Sequence, residues 1–167
     1  LTILSSIVAA IGLIRNDIAI IIGAMVIAPL LTPNMALALA TTLGDGQLGK
    51  DALKTNFIGI FLAIVFSVCV GIIFDVDARI PAIASRTTIS ISDIFLALAA
   101  GSAGALAFTT GFSGALIGVM VAVALMPPLV TVGMLAGSGQ ILPAMGALML
   151  FSANLICVNL AGVVTFI

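Results

Sequence analysis

Residues 20–40, IIIGAMVIAPLLTPNMALALA, decide how the rest of the chain is read. A bilayer core takes about 20 residues of apolar helix, and this stretch meets that length while carrying Pro29 and Pro33 in its middle. Each proline removes a backbone donor and crowds the carbonyl four residues earlier. Lipid must therefore meet either a strong kink or two half-helices joined near the midplane. The device recurs further along. At a constant offset of 95 residues, Ile22, Gly23, Met25, Val26, Leu30 and Pro33 fall on Ile117, Gly118, Met120, Val121, Leu125 and Pro128.

Composition fixes the surroundings. The chain is 63% hydrophobic and 7% charged, against roughly a quarter charged in soluble domains, and its mean hydropathy is +1.45. This is an integral membrane protein in contact with a lipid bilayer. Arg15, Lys50, Lys54, Arg79 and Arg86, with Asp17, Asp45, Asp51, Asp75, Asp77 and Asp93, fall between apolar runs, and residues 94–167 carry no charge. An Asp, Lys or Arg at the centre of a span costs about 2.5–3.5 kcal/mol on insertion, which enforces that spacing. A formal net charge of −1 with no basic patch argues against nucleic acid as a partner. Cys69 and Cys157 lie in apolar runs of a chain without histidine and read as packing residues. No metal-ligand spacing, nucleotide loop or nucleophile with its base is visible, so neither metal, cofactor nor enzymatic chemistry is expected. Leu1 is not an initiator methionine, so further chain is expected upstream, and the first run lacks the basic start of a signal peptide.

Six segments can be drawn: residues 1–14, 18–43, 52–74, 94–108, 112–136 and 142–166. The first is short and is expected to be completed upstream. Asn16 or Asp17 is placed to cap the second, Ser92 or Asp93 the fourth. Residues 75–90, DVDARIPAIASRTTIS, form the longest polar connection and are expected to lie at the membrane interface. GDGQ at 44–47 and GSGQ at 137–140 echo each other at the ends of the second and fifth segments. The chain thus divides into a three-helix repeat over 1–74, a connecting loop over 75–90 and a second repeat over 91–167. Three spans is an odd number, so the second copy enters from the opposite side and the halves are related by a two-fold axis in the membrane plane. The fold expected is all-α, with six transmembrane helices in two inverted three-helix repeats, helices two and five broken at prolines. Lysines and arginines are too evenly shared between the faces to set the orientation.

The runs IIGAMVIAPLLTP, ALAAGSAGALA, VALMPPL and LFSANL resemble an uncharacterised hydrophobic-domain family of bacterial and archaeal membrane proteins, domain-of-unknown-function family 389. The resemblance covers nearly the whole chain. It implies a multi-pass protein of a prokaryotic cell membrane, with an amino terminus on the cytoplasmic side, and it supplies no activity.

A break exposes carbonyls at one helix end and amide hydrogens at the next start, where lipid satisfies neither. Thr32 is placed to cap the second half-helix with Pro33 at its first position, and Asn34 adds an amide that donates and accepts. Pro127, Pro128 and Thr131 offer the same from the other repeat. Converging breaks make a site for a small polar solute or ion; the plainer reading is two kinks satisfied by neighbouring Ser and Thr. Asn56, Asn154 and Asn159 either line the same path or bond between helices. Gly23 and Gly118 read as close-packing positions, with a role along the path as the alternative. Arg86 and Asp93 could guard an entrance as a charge pair, or serve as an interfacial anchor and a cap. The function expected is a channel or permease-like transporter of a small polar solute or ion, working as a homo-oligomer. The alternative is a non-transporting membrane anchor or sensory module for a soluble domain.

Overall fold

A computed structural model of the chain describes residues 1–28, 30–110 and 114–167, and the side chains of all of these except residue 31 and residues 114–124. Pro29, Phe112 and the side chain of Gly118 therefore lie outside the described residues. The helices, in order, are α1 (Thr2–Ile14), α2 (Ile18–Ile27), α3 (Leu31–Leu43), α4 (Gly46–Phe74), α5 (Pro81–Ala84), α6 (Ile91–Thr110), α7 (Gly114–Gly137) and α8 (Ile141–Phe166). Among the described residues α4, α6 and α8 are long and apolar enough to cross a membrane, and the bent α2–α3 pair makes a fourth if it is one span. Leu53, Phe57, Phe61, Val65, Ile72 and Ile73 of α4 stand exposed on the outside, as lipid-facing side chains must. The protein is an all-α membrane protein.

Local chemistry sets the boundaries. Asn16, in the left-handed region at φ 53°, ends α1, and the amide of Asp17 closes back on the Gly12 carbonyl at 2.9 Å. The Asp17 carboxylate then caps α2 by accepting from Ala19 N and Ile20 N. α3 ends the same way at Gly44, φ 67°, with Asp45 N on Ala40 O at 3.0 Å, and Asp45 caps α4 through Gln47 N and Leu48 N. At the end of α7, Gly139 has φ 74° and Gln140 N reaches Leu135 O at 2.9 Å. Gly44 and Gly139, Ala40 and Leu135, and the first residues of α4 and α8 are each 95 apart. The repeated turn is thus keyed to the glycine that alone takes positive φ cheaply. The GDGQ and GSGQ echo is two residues out of register with it. α6 is capped by Ser90, not by Ser92 or Asp93: Ser90 Oγ accepts from Ser92 N, and Asp93 Oδ2 accepts from Ser90 N at 2.9 Å, a reciprocal capping box.

The two proline regions differ. α2 leaves the helix at Ala28, whose ψ of 119° is extended, as expected of a residue before proline. α3 then departs at 54° to α2. The break lies between Ile27 and Leu31, ahead of the start at Thr32 and Pro33 expected from sequence, and Pro33 sits inside the first turn of α3, where no donor is needed. α7 instead continues as one helix through Pro127 and Pro128, so the expected two half-helices do not form there. Backbone-close packing against α4 holds it: a Cβ on Gly71 would lie 2.1 Å from Met134 O, and one on Gly137 would lie 2.3 Å from Val68 O.

α4 packs most extensively on α7, and α3 packs on both α4 and α8; α1 meets α2 and α4 as α6 meets α7 and α8. α1 stands off α4, leaving an apolar groove of about 530 Å³ lined by Ile7, Ile11, Ile14, Phe66, Val70 and Ile73. Residues 75–90 are stitched down. Val76 N donates to Ser138 Oγ at 2.9 Å and Ala78 N to Gln140 Oε1 at 3.3 Å, while Ala82 N donates to Asn16 Oδ1 at 2.9 Å.

Gly71→Ala is expected to lower stability by roughly 1–3 kcal/mol, the usual cost of overpacking, read as a fall in the unfolding midpoint in detergent. A Cβ on Gly23 would meet nothing within 4 Å, so Gly23→Ala should hold or raise the midpoint, by about 0.5–1 kcal/mol at most.

Candidate functional site

The break between α2 and α3 frees backbone groups, and two side chains answer. Ala28 N turns to Met25 O at 3.2 Å instead of the carbonyl one residue earlier. Ser5 Oγ of α1 takes that carbonyl, Ala24 O, at 2.6 Å. On the other side of the break, Asn34 Nδ2 donates to Leu30 O at 2.7 Å. Its Oδ1 then accepts from Asn56 Nδ2 of α4 at 3.2 Å and from Asn159 Nδ2 of α8 at 3.0 Å. Asn34 is 1% exposed and Asn56 5%. Asn56 and Asn159 therefore bond between helices, one of the two roles open to them from sequence.

The remaining candidates fall into two clefts. One, of about 360 Å³, is lined by Thr32, Pro33 and Ala36 of α3 and by Asp51, Ala52 and Thr55 of α4. The other, of about 200 Å³, is lined by Ser85 and Arg86 of the connecting loop, Asp93 and Leu96 of α6, Pro128 of α7, and Leu150 and Asn154 of α8. Pro33 and Thr55 lie 95 residues before Pro128 and Leu150. The clefts thus occupy the same place in each repeat, against the proline of the second segment and the third helix. Arg86 and Asp93, paired from sequence, share one cavity with Asn154 and Pro128, which were named apart from them.

Other residues are placed elsewhere. Thr32 is exposed and makes no cap hydrogen bond; the residue ahead of α3 is Leu30. Pro127 is buried in α7. Thr131 is fully buried, with no hydrogen-bond partner for Oγ1 among the described residues, and no hydrogen bond joins it to Asn34. Gly23 does not serve close packing, since its Cβ position is open. Asp51, Thr55 and Ser85 were missed. Asp51 and Thr55 are one helical turn apart, a spacing that marks a shared polar face ahead of Asn56.

The second cleft carries the charge. Arg86 Nη1 donates to Ala82 O and to Ser85 Oγ. Burial draws its pKa below the ordinary arginine value, and the negative charge of Asp93 opposes that fall. The guanidinium stays protonated at neutral pH. No ion pair within 4.0 Å joins Arg86 to Asp93, so both keep capacity for something in the cleft.

A family described as "Domain of unknown function (DUF389)" matches residues 25–160. The chain belongs to this family. An uncharacterized protein of Methanocaldococcus jannaschii is 40% identical over 164 residues, covering 98% of the chain and 51% of that protein. The chain spans about half the length of this family relative. No solved structure matches it.

Replacing Asn34 by Leu removes three hydrogen bonds at once, whereas Asn56→Leu removes one. At about 1–2 kcal/mol for each interhelical amide bond in a membrane, Asn34→Leu should be the more destabilising in detergent unfolding. The double variant should cost less than the sum of the two, because both act on the same bond.

Proposed function

We propose that this DUF389 chain is the membrane part of a channel or permease-like transporter for a small polar solute or ion, working in the cell membrane as a homo-oligomer and without catalysis. The observation that carries the reading is the pair of clefts at positions equivalent by the 95-residue repeat, one at Pro33 and one at Pro128. A packing kink has no need of a cavity beside its proline; two in register fit the ends of a path.

The inverted arrangement of six spans is supported by the turns. Hydrogen bonds tie residues 75–90 to Asn16 and to Ser138 and Gln140, so the first, third and fifth connections share a face. The Gly44 turn is separated from them by α4, whose 29 residues rise about 40 Å. Helix neighbours also exchange in pairs, α4 with α7 for α3 with α8, as a two-fold axis in the membrane plane requires. In that arrangement the cleft at Pro33, beside the start of α4, opens to one face. The cleft at Pro128, beside the start of α6, opens to the other. Leu125, Met126, Leu129 and Val130 are fully buried around the paired prolines, which is a closed state of such a path. The same burial favours the second reading, a non-transporting anchor or sensory module.

Cysteine labelling separates them. In a Cys69→Ala, Cys157→Ala background, Thr32→Cys and Leu96→Cys should react with a membrane-impermeant thiol reagent from opposite sides. If neither reacts while loop controls at Gln47 and Asp77 do, the clefts are dry and the anchor reading holds. If both react from one side, the inverted arrangement is wrong.

A further inference from the structure

We propose that Asn34, Asn56 and Asn159 form a binding site for a small monovalent cation. The inference deepens the transport reading by naming the class of solute or coupling ion, and its chemistry stands on the amide orientations. Leu30 O accepts from Asn34 at 2.7 Å, so the nitrogen of that amide faces Leu30 and its oxygen faces away. That oxygen can meet only donors, which turns Nδ2 of both Asn56 and Asn159 towards it. Asn159 Nδ2 is held a second time by Leu155 O at 2.9 Å. None of the three amides can be turned over without setting oxygen against oxygen.

The consequence is two stranded acceptors. Oδ1 of Asn56 and Oδ1 of Asn159 are buried and without a hydrogen-bond partner among the described residues, each one amide away from the same Asn34 oxygen. Buried carbonyls without partners are rare and costly in native proteins. What completes them must bring positive charge or a hydrogen. Neutral oxygens suit a hard monovalent ion, as backbone carbonyls do in cation filters, whereas divalent ions draw carboxylates. No group of three His, Cys, Asp or Glu stands together among the described residues.

The repeat supplies an internal control. The positions equivalent to Asn34, Asn56 and Asn159 are Leu129, Phe151 and Ile64. Leu129 is fully buried and Phe151 is 5% exposed, so this fold is built with apolar side chains at the same places. Three converging amides are therefore more than the fold requires.

The test is the unfolding midpoint of the purified protein in detergent, in NaCl, KCl or RbCl against N-methylglucamine chloride at equal ionic strength. At least one alkali cation should raise the midpoint saturably by roughly 5–10 °C, the shift expected of a ligand at about a hundred times its Kd on a chain of this size. Asn56→Leu and Asn159→Leu should lose that shift. Asn56→Asp, which keeps an oxygen in place and adds charge, should reach it at tenfold or more lower cation concentration. Equal midpoints in all four salts would mean that water alone completes the amides, and the proposal falls. It falls equally if the shift survives in both leucine variants. Flux of the same ions and of neutral solutes into proteoliposomes keeps the two readings apart. A specific shift without flux retains the cation site and removes the transport reading. Flux of neutral solutes with no cation shift does the reverse.

Discussion

Lipid offers no hydrogen bonds, so every backbone group freed inside the membrane must be met by the protein, and the region between α2 and α3 is built around that debt. Ala28 takes an extended ψ ahead of Pro29 and abandons Ala24 O. Ser5 recovers that carbonyl from a neighbouring helix. Asn34 attends to Leu30 O, and in doing so fixes which way two further amides point. The position of α1 against α2, and the meeting of α3 with α4 and α8, are thus tied to one interruption of one helix.

The same constraint is met differently in α7. Pro127 and Pro128 bring no N–H, and two carbonyls a turn earlier lose their partners, yet the helix persists. The preference of a pre-proline residue for extended backbone is only a preference, and here tertiary packing outweighs it. Gly71, Gly133 and Gly137 leave no room for a Cβ between α4 and α7, so the two helices touch along their backbones. A departure at Pro127 would undo that contact over several turns. α2 has no such clamp at its own glycine, since the space beside Gly23 is open.

What could be read in the sequence follows from this. Turn chemistry was partly legible because it is local: Asp17 was a cap candidate and caps, and the 95-residue offset survives into the backbone, but Asp45 starts α4 at Gly46, ahead of the start at residue 52 expected from apolarity alone. Rotation about a helix axis was not. In a run apolar all round there is no polar face to say which side is inward, so Thr131 and Asn34 could be assigned to one constriction while the structure gives them different neighbours. The GDGQ and GSGQ strings misled because composition recurs more readily than backbone conformation, and only Gly44 and Gly139 share positive φ. Asn56 and Asn159 were visible as amides, but their orientation depends on Leu30 O, which no spacing reveals.

The halves also differ where the clefts lie, and the difference traces to one pair of positions. Asp51 on α4 is equivalent to Gly146 on α8. A Cβ at Gly146 would lie 2.1 Å from Thr87 O, so the glycine is what lets the connecting loop settle onto α8. Asn16 holds that loop from the other side through Ala82 N, and the settled loop carries Ser85 and Arg86 into the wall of the cleft at Pro128. In the first repeat the same place holds an exposed Asp51, and the cleft at Pro33 is the larger of the two. A side chain at Gly146 would lift the loop and take Arg86 with it. One three-helix plan therefore yields a cleft with Asp51 alone and a second cleft in which the half-buried Arg86 joins Asp93, and the choice between them rests on whether the third helix presents a side chain or a gap.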